Sequence, residues 1–526
     1  MQTIDTKKNI INFFLEKNLL VSNDLLEYLE NEENLDKFSK LVEDNTLKDI
    51  TVLSEKIKDL LGHEKSLNWT ELEKLKVISR KKSIGDKNQY NQIVEREKTK
   101  SPQKKQENNV KIVFSYDKPA KKREANDFIE YFNSRYRAIE RILKLRQEMR
   151  NTTSINRIIN KRDREQISII GMVRDKHKTK NGNYILTVED RTGHIKVLAN
   201  KTKPDLFRLA KDIVLDEVIG VVGVNGDNII FSNNLLFPDI PTTKEMKKTE
   251  KEEYALFLSD MHVGSKSFLQ EDFNKFLRWI NCDLGNETQR QTASKVKYIF
   301  LIGDLVDGCG VYPNQEKELE IKDIKDQYKV CADLLGKIPE NIKLIICPGN
   351  HDAMRVAEPQ LPIYKDFAEP LYNLPNVFMV SNPSIVNIGS FEGFPGFDVL
   401  VYHGHSFDFY MSEVESIRNL GGYDRADLLM KFLLQKRHLA PSYTSTLYVP
   451  DTDVDSLVID KIPDFFVTGH IHKAAASNYR GVTLISGSCW QSKTDFQEKV
   501  GHNPEPSRVP IVNLQTRQVK MLKFGN

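Results

Sequence analysis

Cysteine is scarce in this 526-residue chain: five residues, at 282, 309, 331, 347 and 489, lie far apart with no C-x-x-C pair. Neither a disulfide framework nor a thiolate zinc knuckle fits that spacing, and a reducing interior is expected. Long apolar runs are missing as well. The stretch Met1–Lys8 opens into an amphipathic pattern, so no signal peptide or membrane span is expected and the chain reads as soluble and cytoplasmic. Excess charge of one sign is also absent: 29% of residues are charged, yet the net charge is only +3. Whole-chain electrostatics therefore give no argument for a nucleic-acid partner. What is present is apolar mass, 39% of residues, over a length that calls for two or three cores.

Residues 1–75 read as a small helical module, with Ile10, Phe13 and Phe14, then Leu25, Leu26 and Leu29, at helical spacing and Ser22 or Asn23 as a cap between two short helices. Residues 76–125 are rich in Lys, Gln, Asn and Glu and read as a charged flexible linker. From 126 to 240, a helix capped by Asn126, with Phe128, Phe132, Tyr136, Ile139 and Leu143 on one face, precedes an OB-fold β-barrel. Alternation at Tyr184, Leu186, Val188 and at Ile195, Val197, turns at Asn181-Gly182 and Thr192-Gly193, and a helical interval near Pro204–Lys211 carry the barrel. Its basic hairpin Arg174–Lys180 suits either a nucleic-acid backbone or another subunit. Residues 241–253 form a second polar linker. Beyond it, 254–526 alternates buried strands with helices, an α/β layer architecture.

The chemistry lies in this last domain. Five apolar strands run into polar clusters: Asp260 and His262; Asp304 and Asp307; Asn350, His351 and Asp352; His403 and His405; His470 and His472. Each cluster sits at the carboxyl end of its strand, where open α/β sheets place their sites, so all five are expected along one edge of a sheet. A single His-x-His after a strand is more often a turn than a ligand. Five clusters of one chemistry in one strand position are not independent accidents. Oxygen and nitrogen ligands without thiolate suit two borderline divalent ions such as manganese, iron or zinc, and Asp304, the central carboxylate, is the natural bridge between ions roughly 3.5 to 4 Å apart.

The order D-x-H, G-D-x-x-D, G-N-H-D, H-G-H and G-H-x-H resembles the calcineurin-like metallophosphoesterases, over Tyr254 to Asn526. The resemblance implies a phosphoesterase sandwich in which Asp260, His262, Asp304 and His472 hold one ion and Asp304, Asn350, His403 and His470 hold the other. Manganese is the first choice, with magnesium, iron or zinc as alternatives. It further implies that His351 acts on the substrate while Asp352 orients its ring. His405 stays open between a substrate contact and a structural residue. In-line attack of activated water on a phosphoester is the reaction class implied.

A helical module and tether, then a barrel, then the phosphoesterase, with Tyr402–Tyr410 ("YHGHSFDFY") around the fourth cluster and Ala426–Tyr443 inserted between the fourth and fifth clusters, is similar to the small subunit of archaeal family D DNA polymerases. That resemblance covers most of the chain. It implies a 3′ to 5′ proofreading exonuclease acting on DNA, docked through barrel and phosphoesterase onto a separate large catalytic subunit as a heterodimer. A sliding clamp would be reached only through the holoenzyme, since no clamp motif can be assigned. Two alternatives stand beside this reading. One is a catalytically silent scaffold, as in related eukaryotic accessory subunits that have lost the ligands. The other is a repair-type metallonuclease, in which the phosphoesterase normally opens the chain and a capping domain follows it, whereas here it follows the barrel.

Overall fold

The computed structural model describes residues 109–525 except 160, 162, 163, 495, 496, 499 and 500, together with a parallel pair of two-residue strands, Leu20–Val21 and Val52–Leu53. The chain divides into two compact units, Met1–Gln106 and Glu107–Asn526. Apart from that strand pair, the helical module expected at 1–75 lies outside the described residues, as does most of the expected linker. Among the described residues, no helix is long and apolar enough to cross a membrane.

The linker expectation fails at its C-terminal end. Val110–Ser115 (β1) is a strand that adds antiparallel to Ser384–Ile388 in the last domain. Its six residues are a short β-branched run that the surrounding Lys- and Gln-rich composition masks, and one sheet partner suffices to hold it. The next helix, Ala125–Leu143 (α1), begins before Asn126. Glu124 is its cap, with the backbone N–H of Glu124 donating to Asp127 at 2.9 Å.

Five strands close into a barrel: Gln166–Lys178 (β2), Tyr184–Asp190 (β3), Gly193–Ala199 (β4), Val218–Asn225 (β5) and Ile229–Leu236 (β6), in the order β2-β3-β4-β6-β5, with the helix Pro204–Lys211 (α2) between β4 and β5. Leu186, Val188, Ile195 and Val197 fill its interior, as their alternation requires. The basic hairpin is partly spent inside the domain. Lys176 Nζ donates to the carbonyls of Lys211 and Ile213 at the end of α2, which leaves Lys178 and Lys180 exposed.

The last domain is a sandwich of two six-stranded sheets. In the first, Tyr254–Leu258 (β7), Val296–Ile302 (β8), Lys343–Cys347 (β9) and Val377–Met379 (β10) run parallel, extended at one edge by Arg508–Asn513 and Val519–Lys523. In the second, Ser384–Ile388 (β11), Phe397–Val401 (β12) and Phe465–Thr468 (β13) lie between β1 and the pair Val482–Ser486 and Ala475–Tyr479. Phe257, Phe300, Ile302, Val399, Val401 and Phe465 pack between the sheets, while Leu256, Leu258, Ile299 and Leu301 point the other way onto the helices Gln270–Ile280 (α3) and Ile324–Leu335 (α4). Strands buried on both faces read as continuous apolar runs, which is why their C-terminal polar clusters stand out so sharply.

Helix α1 locks barrel and sandwich together. Tyr136, Ile139 and Leu143 pack on the barrel, and Tyr131 joins the core beneath the sandwich helix Ala426–Lys436. Between them the buried Arg135 pairs with Asp455 at 2.7 Å, and Asp455 also accepts from Tyr131 Oη at 2.8 Å and meets His438 Nε2 at 2.8 Å. A second buried pair, Lys436 with Glu217 at 2.7 Å, joins sandwich to barrel directly. Removing one partner of a buried pair strands the other charge. Arg135→Met is therefore expected to lower stability by about 3–5 kcal/mol in urea unfolding, whereas Arg141→Met, at the exposed Asp460 pair, should cost below about 1 kcal/mol.

Candidate metal centre

The five clusters converge, but from two sheets rather than one. Asp260 with His262, Asp304 with Asp307, and Asn350–Asp352 follow β7, β8 and β9, while His403 with His405 and His470 with His472 follow β12 and β13 of the facing sheet. The site lies where the parallel segments of both sheets end. Placing ligands there bends the backbone hard: Asp260, His262, Asp304, His470 and His472 all adopt left-handed φ between 51° and 72°. Each such residue costs on the order of 1–3 kcal/mol, strain that folding alone would relieve with glycine. Glycine is used instead where the loops must touch. A side chain on Gly349 would run into Asp304, and one on Gly303 into His403.

Two groups share Asp304. On one side His472 Nε2 lies 3.1 Å from His262 Nε2 and 3.3 Å from Asp260 Oδ1, with Asp304 Oδ2 3.9 Å from His262. On the other, His403 Nε2 lies 3.0 Å from Asn350 Oδ1 and 3.3 Å from Asp304 Oδ2, and His470 completes a set with Asp304 and His403 whose ligand atoms fall within 4.8 Å of one another. Every ligand named from the sequence is thus brought to one place.

The second nitrogen of each imidazole is held from behind. His262 Nδ1 meets Asp307 at 3.1 Å, His403 Nδ1 the carbonyl of Ile302 at 2.9 Å, His472 Nδ1 the amide of Gln497 at 2.9 Å, and His470 Nε2 the carboxylate of Asp408 at 2.9 Å. Asp307 is itself fixed by Gln315 and Gln491. Such backing sets ring orientation, and where the partner is an acceptor, as for His262, His403 and His470, it leaves the other nitrogen for a ligand bond. Two ring nitrogens 3.1 Å apart, as in His262 and His472, need a shared proton or cation between them. The donor set of carboxylate, amide oxygen and imidazole suits a borderline divalent ion.

Electrostatics agree. Burial opposes ionisation of Asp304 most strongly, but His403, His351 and His262 outweigh it and hold the carboxyl well below the usual range. Burial works against a charged His403 too, yet Asp304 beside it lifts the imidazole to about 10.

One expectation changes. Asp352 does not touch the His351 ring: its carboxylate accepts from Tyr328 Oη at 2.9 Å and from the backbone N–H of Gly349 at 2.9 Å, and burial followed by the charge of Asp304 raises it to about 7. It ties the loop rather than aiming the ring, because it points back under its own turn. The ring is oriented instead by the backbone carbonyl of Asp307, 2.7 Å from His351 Nδ1. Asp307 and Asp408 therefore have roles that the sequence pattern did not assign, although the second aspartate of G-D-x-x-D and the "SFD" after H-G-H carried the signal. His405 lies beside His470, ring centroids 5.9 Å apart, and its buried Nδ1 has no hydrogen-bond partner among the described residues.

Behind the ligands, Asn382 accepts from the backbone N–H of His403 at 2.8 Å and donates to Gln360 at 2.7 Å and to Glu358 at 3.2 Å, while Gln360 donates to the Gly349 carbonyl at 3.3 Å. This network ties the His403 loop to the Asn350 loop. Burial pushes Glu358 up to about 7, and a protonated acid fits the chain in which Tyr402 donates to Ser406 and Ser406 to the Leu439 carbonyl.

Comparison with known proteins follows these divisions. Residues 255–476 match the family of B subunits of DNA polymerases alpha and epsilon, and residues 167–225 match the OB-fold nucleic acid binding domain. The DNA polymerase II small subunit of Methanothermobacter thermautotrophicus is 40% identical over 402 residues, 76% of this chain and 80% of that protein. That of Methanocaldococcus jannaschii is 39% identical over 390 residues, 74% of this chain and 64% of that protein. That of Pyrococcus abyssi is 37% identical over 401 residues, 76% of this chain and 63% of that protein. The match thus spans less than two thirds of the latter two.

Two outcomes are expected from this geometry. Manganese should raise the melting temperature, reversibly with a chelator, and Asp304→Asn should abolish the shift, because only the native state offers the site. For Glu358, a folded pKa of about 7 against an ordinary 4.5 means stability that is complete below 4.5 and lost as pH rises through 7. Glu358→Gln should therefore match the wild type near about pH 5 and gain up to about 3 kcal/mol near about pH 8 in denaturant unfolding.

Proposed function

We infer the function from one premise: the chain belongs to the family of archaeal DNA polymerase II small subunits. From it we propose a 3′ to 5′ exonuclease that hydrolyses DNA phosphodiesters with a two-metal site and docks a separate large polymerase subunit through the barrel and the sandwich. The observation that carries this reading is the convergence of all seven expected ligands, with each ligand histidine held from behind and five of the seven in strained backbone. A scaffold that had abandoned catalysis gains nothing by keeping that strain.

In this reading Asp260, His262 and His472 would hold one ion, Asn350, His403 and His470 the other, and Asp304 would serve both. Such ions, most simply manganese, would supply an activated water and neutralise charge at phosphorus. The chain's own residues do the rest. His351, with Nδ1 donating to the Asp307 carbonyl and its ring 4.7 Å from that of His262, has Nε2 left for the phosphate and, when the ring is doubly protonated, gives its Nε2 proton to the leaving oxygen. Asp307 serves twice, through its carboxylate on His262 and its carbonyl on His351, so the ion site and the proton donor are held in one frame. The barrel, matched as a nucleic-acid binding fold, supplies the surface along which a strand approaches.

With a 5′-labelled single-stranded oligonucleotide and manganese, the purified chain should give a ladder shortening from the 3′ end. A chelator should stop it, and His351→Ala should slow it on the order of 10²- to 10⁴-fold. No cleavage, with or without the large subunit added, would turn the reading to a scaffold.

A further inference from the structure

The exonuclease reading uses the ligands and His351 but leaves a group of side chains around His470 without a task. Asp408 opens the short helix Phe407–Glu413 and touches His470 Nε2 with one carboxylate oxygen, while its other oxygen accepts from Tyr423 Oη at 2.9 Å. The Tyr423 ring packs against that of His502, centroids 4.2 Å apart and tilted by 48°, and both rings are half-buried. His405 closes the group from the other side, with its orphaned Nδ1.

Tyr423 packs on the core beneath Ala426–Lys436, and Tyr423 and His502 also pair as half-buried rings two hydrogen bonds away from His470. As a stacking platform for an unpaired base they gain about 1–3 kcal/mol per base, whatever the base. The negative charge of Asp408 is engaged on both oxygens, by His470 and Tyr423, and Asp424 next to Tyr423 is paired with Lys473 at 2.7 Å. A buried imidazole nitrogen without a partner costs free energy until something bonds to it. Two hydrogen bonds, donated by Tyr423 and by His470 to Asp408, fix the ring pair relative to a ligand of the ion site.

We propose that this group is a nucleotide subsite: His405 bonds a non-bridging oxygen of the phosphate at the metal centre, and the Tyr423–His502 pair stacks the base of the same unpaired nucleotide. The proposal rests on the nuclease reading and deepens it by assigning the residues that hold the base and the phosphate of the terminal nucleotide. A terminal base held in its pair stays in the duplex and does not reach these rings, so pairing itself protects the strand.

The test uses the full chain with manganese and two probes, an oligonucleotide ending in 3′ 2-aminopurine and the base-free diester bis(p-nitrophenyl) phosphate. A phosphorothioate at the last linkage holds the oligonucleotide intact for fluorescence. Binding should quench the 2-aminopurine in the wild type and in Tyr423→Phe, which keeps the ring but loses the bond to Asp408. Tyr423→Leu should lose the quench, and its KM should rise about tenfold more for the oligonucleotide than for the small diester. His405→Ala should raise KM for both probes by a similar factor. Quenching and KM matching the wild type in Tyr423→Leu and His405→Ala would overturn the subsite and leave the nuclease standing. A wild type that cleaves neither probe would overturn the reading beneath it.

Discussion

One buried carboxylate organises the sandwich half of this molecule. Asp304 accepts the backbone N–H of His351 at 2.8 Å, stands 3.3 Å from His403 and 3.9 Å from His262, and so meets residues from both sheets. Alone, a fully buried charge at that position would be severely unfavourable. It is tolerated because imidazoles surround it, and the imidazoles are in turn oriented by groups that belong to the fold. The left-handed turns, the bare glycines at 303 and 349 and the Asn382 network all serve that one placement. Remove the carboxylate and the histidines face one another with nothing to gather them.

The second constraint is the rigid joint between barrel and sandwich. Arg135, Asp455, Tyr131 and His438 form one buried cluster, and Lys436 with Glu217 another, so the nucleic-acid fold and the metal centre belong to one body. In the proposed function, this joint would fix the distance between where a strand is held and where it is cut. Buried ion pairs contribute little net stability but specify geometry when one arrangement satisfies them, and here both pairs cross the junction.

Much of the site was legible because it sits on apolar strands. A run such as Lys343–Cys347 followed by Pro-Gly-Asn-His-Asp leaves no structural reason for its last residues, and the fivefold repetition of that pattern marked the polar clusters that the structure brings together. The barrel was legible from its alternation and turns. What escaped depends on long-range contact. The six residues of β1 form a strand only because a sheet edge some 270 positions later accepts them. That the clusters come from two sheets is a matter of topology, which strand periodicity does not carry. The orienting partner of His351 is a backbone carbonyl, which has no sequence signature, so the neighbouring aspartate was expected in its place although it faces the opposite way.

Two ions sharing Asp304 are the centre of the proposed chemistry, and anomalous diffraction at the manganese edge from crystals grown with manganese tests their presence most directly. Two peaks about 3.5–4 Å apart, one on each side of Asp304, are the expected result. A single peak, or none, with the ligand side chains in place would contradict it.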